Sequence, residues 1–341
     1  MSDTPTPVLR DAFRRPLRDL RVSVTDRCNF RCTYCMPAEI FGESYKFLPK
    51  HDILSFEEMV RLTRIIVRLG AVKVRITGGE PLVREQIETL VGMLRQIEGV
   101  DDLTMTTNGF LLPQKAQALK DAGLERITVS LDSLDDAVFR KMNGNRSSVQ
   151  KVLDGIAAAE RAGLHPIKIN TVVQRGVNEH TILDLARWAR DKGYILRFIE
   201  YMDVGNMNGW RKEEVFSARE IVETIDAALP LEQIERSYKS EVAARYRYRD
   251  GSGEIGLIAS VTMPFCGACS RMRLSPEGEI FTCLFGTKGT DLRGPMRAGA
   301  DDAALEQIVR QTWGERIDRY SEVRFLDTPR DPKVEMYHIG G

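Results

Sequence analysis

Apolar positions along this chain follow two periods. Between residue 21 and about residue 229, short β-branched runs are separated by stretches with the 3.6-residue spacing of amphipathic helices. The runs predict strands over 21–25, 72–77, 103–107, 126–131, 167–173 and 195–202. The stretches between them predict helices over 55–69, 84–97, 113–122, 148–162 and 179–192, with a further helix over 218–228. Ser55 and Glu58 have the spacing of a capping box, which marks the start of the first helix. Strand–helix units in series imply parallel strands joined by right-handed crossovers. The expected fold is an α/β incomplete (βα)6 TIM-type barrel, with an open doubly wound sheet as the alternative.

After residue 229 the pattern changes. Short strands are predicted over 242–249, 254–261, 272–274 and 279–284, with glycine turns at 251–253 and 277–278, then a helix over 301–312 and an irregular stretch over 321–341. This describes a barrel domain over 1–230 and a small β-rich extension over 231–341, lying over the sheet. No internal repeat or low-complexity tract interrupts either part.

Composition changes this picture little. The chain has 341 residues, 43% hydrophobic and 29% charged, as an ordinary globular protein has. Lys plus Arg and Asp plus Glu balance at 49 each, which argues against a general nucleic-acid or membrane surface. No apolar run approaches 18 residues, and no apolar stretch before residue 28 reads as a secretory signal. The expected setting is cytoplasmic, where clustered cysteines bind metal or do chemistry more often than they form disulfides.

The six cysteines form two triplets, Cys28-x3-Cys32-x2-Cys35 and Cys266-x2-Cys269-x13-Cys283. Three thiolates can hold a four-iron cluster with one iron left open, and an open position separates a catalytic metal site from a closed structural one. A zinc site is the alternative for both triplets, and a zinc ribbon is the stronger rival for the second. Four histidines are few to complete two such sites, and neither triplet has a fourth cysteine. The spacing of the first triplet, with Tyr34 inside it, resembles the signature of the radical S-adenosylmethionine (SAM) superfamily.

In barrels of strand–helix units the working groups lie at the C-terminal strand ends. Here the first triplet follows strand one, Thr77-Gly78-Gly79-Glu80-Pro81 ends strand two, and Thr106-Thr107-Asn108-Gly109 ends strand three. Ser130 and Asp132 end strand four, Lys168 and Asn170 lie on strand five, and Glu200 and Met202 end strand six. Singly, these motifs also fit tight turns, strand residues or core packing; together they mark one rim. Arg21, Arg75 and Lys168 sit on strands that should be apolar, and a buried cation needs an anion. Strand-end salt bridges would also explain them, but a polyphosphate ligand accounts for all three. Arg271 and Arg273 share a face if they lie on a strand, and guanidinium forks suit phosphate oxygens.

The run from Arg21 to Pro37, with 77–81, 106–109, Arg197-Phe198-Ile199-Glu200-Tyr201-Met202, Cys266-x2-Cys269-x-Arg271-x-Arg273 and the final Gly340-Gly341, resembles the GTP 3′,8-cyclase (MoaA) family of molybdenum cofactor biosynthesis over residues 10–341. The resemblance implies two 4Fe-4S clusters, held by Cys28, Cys32 and Cys35 and by Cys266, Cys269 and Cys283, with SAM as cofactor. It implies that a 5′-deoxyadenosyl radical takes the ribose 3′ hydrogen of GTP, and that the ribose radical attacks guanine C8 to give 3′,8-cyclo-7,8-dihydro-GTP. By motif, SAM contacts fall on Tyr34, Gly79, Ser130 and Met202. GTP contacts fall on Arg21, Arg75, Thr106, Lys168, Arg271, Met272 and Arg273. Catalytic roles fall on Arg271, Arg273, Gly340 and Gly341, the glycine tail reaching the active site. The resemblance also implies a homodimer, an electron donor such as flavodoxin or ferredoxin, and a downstream cyclic pyranopterin monophosphate synthase. Arg14 stands where the family's N-terminal lead has glycine, and Tyr337-His338 precede the tail in place of a small residue.

Other readings are a peptide-modifying radical SAM enzyme with auxiliary clusters, a two-cluster electron carrier, or a zinc-stabilised binding module. More C-terminal cysteines would favour the first, and fully ligated clusters the second. Zinc in place of about eight irons per chain after anaerobic reconstitution would favour the third.

Overall fold

The structure, a computed structural model, describes residues 8–238, 240–326 and 331–341. Strands β1 (Asp19–Ser23), β2 (Lys73–Thr77), β3 (Asp102–Thr107), β4 (Arg126–Ser130), β5 (Ile167–Val173) and β6 (Ile195–Glu200) pair in sequence order, all parallel. Between and after them lie α1 (Phe56–Arg68), α2 (Ile87–Arg95), α3 (Leu112–Asp121), α4 (Asp136–Met142), α5 (Val149–Arg161), α6 (Ile182–Asp191) and α7 (Ala218–Asp226). The capping box at α1 forms as expected: Glu58 N donates to Ser55 Oγ at 3.2 Å and Ser55 N to Glu58 Oε2 at 2.8 Å. Helix α4 is not among the predicted elements. It spans only two turns and starts on Asp135, whose carboxylate accepts from Ala137 N and Val138 N.

The extension does not lie over the sheet as expected; it continues the sheet at both edges. Strands β7 (Leu231–Ile234), β8 (Ala244–Tyr248) and β9 (Glu254–Ile258) add beyond β6, with β9 parallel to it. Strands β10 (Arg271–Leu274), β11 (Glu279–Phe281) and β12 (Thr290–Asp291) add beyond β1, with β10 parallel to it. Unpaired edge strands expose backbone donors and acceptors, and the extension satisfies both edges of the six-stranded unit. Helices α8 (Arg293–Arg297) and α9 (Asp302–Gly314) follow. Short helices α10 (Tyr320–Val323) and α11 (Met336–Ile339) lie in the stretch expected to be irregular.

Strand alternation gives the sheet two unlike faces. Leu20, Val22, Val74 and Ile76 are fully buried in the main core, while Asp19, Arg21, Lys73 and Arg75 turn to the other side and border a cavity. That one cavity is also bordered by Arg273 of β10 and by Arg245 of β8. A sheet whose distant strands line the same space is curled, as an incomplete barrel requires.

The N-terminal lead docks beneath the second cysteine triplet. Asp11, Arg15 and Arg316 form a buried ionic cluster. From it Arg15 Nη1 donates to the Cys266 carbonyl at 2.9 Å and Arg316 Nη1 to the Cys269 carbonyl at 2.8 Å. The turn that delivers Arg15 puts Arg14 at φ +62°, a conformation costing a non-glycine residue about 1–2 kcal/mol. Arg14→Gly is therefore expected to raise unfolding free energy by about 0.5–1 kcal/mol after the entropy of the unfolded glycine is subtracted. Denaturant melts of the two proteins would check this.

Candidate active site

Cys28, Cys32 and Cys35 follow β1 as free thiols and line one end of a cavity of about 450 Å³, a size suited to small-molecule ligands. The loop after β2 packs directly on them. Gly79 N donates to the Thr25 carbonyl and Glu80 N to the Arg27 carbonyl, each at 2.8 Å. A Cβ on Gly79 would lie 2.3 Å from the Arg27 carbonyl oxygen, so glycine is needed here for contact with the cysteine loop itself. Glu80 binds the next motif in turn: Thr107 Oγ1 and Asn108 N donate to its two carboxylate oxygens, both at 2.7 Å. Burial pushes this carboxyl up to about 7. Tyr34 Oη donates to Asp132 Oδ2 at 2.9 Å, Ser260 Oγ donates to Met202 Sδ at 3.3 Å, and Tyr34, Ser130 and Met202 border the cavity beside the thiols.

Further inside, the walls are cationic. Arg273, Arg21 and Arg75 are register partners on the adjacent strands β10, β1 and β2, so three guanidinium groups stand in one row. Like charges opposite each other on a sheet are destabilising. Among the described residues, Arg21, Arg75, Lys168, Arg197, Arg271 and Arg273 have no side-chain carboxylate in ion-pair contact, whereas Lys73 and Arg126 share Asp102. Arg75 Nη1 donates instead to Thr106 Oγ1 at 2.8 Å and Thr128 Oγ1 at 3.2 Å. Burial first, then neighbouring arginines, holds Arg21, Arg197 and Arg273 below the ordinary guanidinium value. Lys168 is lowered to about 7 by burial and then Arg197. Arg197 Nε, Arg271 Nε and Asn170 Oδ1 are buried without a protein partner. The unpartnered guanidinium donors call for a polyanion with several acceptors, while Asn170 Oδ1 calls for a ligand donor.

The second triplet stands behind the arginine row. Its thiols do not border the cavity, but Arg271, Arg273 and Leu284 beside them do. Of the two triplets, only the first borders the cavity with its thiols. Burial alone would raise the Cys269 thiol, yet Arg271 and Arg316 bring it down to about 6. The Gly340–Gly341 tail enters the cavity: Arg273 Nη1 donates to the Gly340 carbonyl and Arg21 Nη1 to the Gly341 carbonyl. The two residues that depart from the family pattern anchor it. Tyr337 packs edge-on against Phe41 at 5.1 Å and shares a 2.7 Å hydrogen bond with Tyr45 Oη, and His338 pairs with Glu277.

The structure therefore gathers Tyr34, Gly79, Ser130, Met202, Arg21, Arg75, Thr106, Lys168, Arg271, Arg273 and Gly341 around one space. Strand alternation turns the Met272 side chain away, fully buried in the core behind β10, which leaves only its backbone for a ligand contact. Arg197, Lys73 and Arg126 also line the site, and the sequence reading missed them. For Arg197 the signal was present, because it shares strand parity with the wall-facing Ile199 on β6.

Comparison with known proteins decides the family. Residues 22–189 match the model of the Radical SAM superfamily, and residues 194–322 match the Molybdenum Cofactor Synthesis C model. The GTP 3′,8-cyclase of Acidothermus cellulolyticus is 49% identical over 98% of this chain and all of its own length. That of Xanthomonas axonopodis pv. citri is 49% identical with the same coverage, and that of Staphylococcus aureus 43% over 98% of this chain and 99% of its own. The chain belongs to the GTP 3′,8-cyclase family. Among solved structures, Streptococcus suis SuiB bound to S-adenosylmethionine superposes with TM-score 0.65 at 15% identity, covering 93% of this chain and 69% of that one. That likeness shows the radical SAM fold.

The residues present suit the cofactors of a GTP 3′,8-cyclase, SAM and 4Fe-4S clusters. Burial raises the Cys28 thiol to about 12 and the Cys32 and Cys35 thiols upward as well, so they shed their protons only to a strong cationic partner such as iron. Among the described residues no three His, Cys, Asp or Glu groups converge as a single-ion site. Among the same residues, no helix is long and apolar enough to cross a membrane.

Proposed function

We propose that this chain is itself a GTP 3′,8-cyclase, with the cavity holding GTP between the two cysteine triplets. The observation that carries the reading is the row Arg273–Arg21–Arg75, with Lys168 and Arg197 across the same space, buried or half-buried without side-chain carboxylate partners beside a SAM-type cysteine loop. When bound, SAM and the cluster on Cys28, Cys32 and Cys35 supply the one-electron chemistry that starts hydrogen abstraction from the ribose 3′ position and closure onto guanine C8.

The protein's own residues place the reactants. Tyr34, Gly79, Ser130 and Met202 hold SAM at the rim. Arg21, Arg75, Thr106, Lys168 and Arg197 neutralise the phosphates, so the ribose is fixed by groups several ångströms from the reacting bond. Arg271 and Arg273, with the cluster on Cys266, Cys269 and Cys283, receive the base. Gly340 and Gly341 hold two of these arginines in position and close the space around the sugar. Residues 1–230 then serve as the SAM-binding barrel and 231–341 as the part that completes the substrate site. A homodimer, a cytoplasmic setting, a flavodoxin or ferredoxin donor and a downstream pyranopterin synthase rest on the family resemblance alone.

Reduced, cluster-reconstituted protein incubated with SAM and GTP is expected to yield 5′-deoxyadenosine and the cyclised nucleotide together; 5′-deoxyadenosine without cyclised product would count against GTP as substrate. Cys283→Ser should keep SAM cleavage and lose the nucleotide product, and surviving cyclisation would remove the second cluster from the reaction.

Affinity for GTP should also depend on pH. With Lys168 near 7 in the free protein, the ammonium that a polyphosphate requires is already present below that pH. Above it, binding must take up a proton, so affinity falls by up to about tenfold per pH unit. Lys73, lowered to about 8 by burial, steepens the fall beyond pH 8. Calorimetry at pH 6.5, 7.5 and 8.5 is expected to show this trend in the wild type and a flatter one in Lys168→Arg.

A further inference from the structure

The cavity has a floor at the N-terminal ends of the strands, opposite the cysteine rim. Ser237, Tyr238 and Glu241, which lie between β7 and β8, border the space there beside Lys73, Arg126 and Lys168. Tyr238 is held there by cations. Lys73 Nζ donates to its hydroxyl oxygen at 3.2 Å. The Arg18 guanidinium and the Lys73 ammonium lie 5.0 and 5.7 Å from its ring centroid, within cation–π range.

That arrangement fixes the direction of the hydroxyl. Its oxygen is occupied as an acceptor, and among the described residues nothing accepts its proton. Burial, then Asp19 and Glu241, raises this phenol to about 12, so the proton stays on it. An O–H donor therefore remains available at the bottom of a cationic cavity. The floor also holds anions: Asp19 and Asp102 flank Lys73, and Glu241, whose charge favours the protonated forms of Lys168 and Arg197 in the free protein, borders the same space.

Depth supplies the rest. Strand β2 runs from Lys73 at the floor to Thr77 at the rim, four steps of about 3.3 Å, or about 13 Å. A nucleotide with its sugar at the rim reaches the floor only through an extended phosphate chain. We propose that Tyr238 is a specificity-determining residue that reads the length of this chain, its hydroxyl donating to the terminal phosphate of a nucleoside triphosphate. The assignment rests on the nucleotide reading above and adds the residue that separates tri- from diphosphates. A shorter chain leaves the Tyr238 proton without an acceptor, while Lys73 keeps Asp19 and Asp102.

The test uses cluster-reconstituted full chain titrated calorimetrically with inorganic tripolyphosphate and with pyrophosphate, in magnesium-free buffer. Wild-type protein is expected to prefer tripolyphosphate by about tenfold, the value of one hydrogen bond to a charged group. Tyr238→Phe should bring the ratio close to one, with SAM affinity and melting temperature unchanged. A Tyr238→Phe protein that keeps the wild-type ratio overturns the assignment while leaving the nucleotide reading standing. An equal loss of both probes also overturns it, since packing alone would act that way. Wild-type protein that binds SAM but neither probe overturns the anion reading of the cavity and this assignment with it.

Discussion

Gly79→Ala is expected to cost at least about 100-fold in SAM affinity. The new methyl carbon would sit 2.3 Å from the Arg27 carbonyl oxygen, 2.6 Å from its carbon and 3.0 Å from the Asp26 carbonyl oxygen. All three are backbone atoms, so no side chain can rotate aside. The 77–81 loop must retreat from the cysteine loop, breaking the 2.8 Å bonds from Gly79 N and Glu80 N. A displacement of this order, about 1 Å, is enough to lose two orders of magnitude where geometry is exacting. Anaerobic titration of reconstituted Gly79→Ala with SAM is the measurement, with circular dichroism to confirm the fold. Wild-type affinity would show that the loop's close approach does not matter to the cofactor.

Gly340→Ala is expected to reduce cyclised product by about 100-fold while 5′-deoxyadenosine still forms. Two independent costs act at this position. Its φ of +77° disfavours any side chain by about 1–2 kcal/mol, and a Cβ would lie 2.3 Å from Cγ2 of the buried Thr77. Once the tail is displaced, Arg273 and Arg21 lose the carbonyl oxygens that orient them, and the sugar loses one wall of its enclosure. The first cysteine loop makes no use of Gly340, so SAM cleavage should continue without productive transfer. A ratio of 5′-deoxyadenosine to product that stays at the wild-type value would argue against the tail's positioning role.

Much of this site was legible in the sequence because the chemistry sits at strand ends. Each motif that ends a strand falls on one rim, and period-two alternation turns Arg21, Arg75 and Lys168 inward together. The same alternation, applied between Arg271 and Arg273, turns the Met272 side chain to the opposite face and leaves only its backbone on the ligand side. Two features were beyond local pattern. The extension's place at both sheet edges depends on backbone pairing between β10 and β1 and between β9 and β6, which no spacing encodes. Tyr238 lies in a polar loop with no periodicity, and only the folded chain brings it over Lys73. Arg14 was different: its oddity in the sequence corresponds to a real feature, a positive φ that glycine would accept without cost.

The pairing of β1 with β10 has a consequence for how the protein is made. Arg21 finds its neighbour Arg273 roughly 250 positions later in the chain. At about 5–20 residues per second, a ribosome takes about 12–50 s to supply that partner. For that interval one side of β1 is a bare template for any passing strand. The charges of Asp19 and Arg21, turned toward the barrel interior, make a poor match for an apolar intruder. The residues that later face the ligand thus also protect the nascent chain.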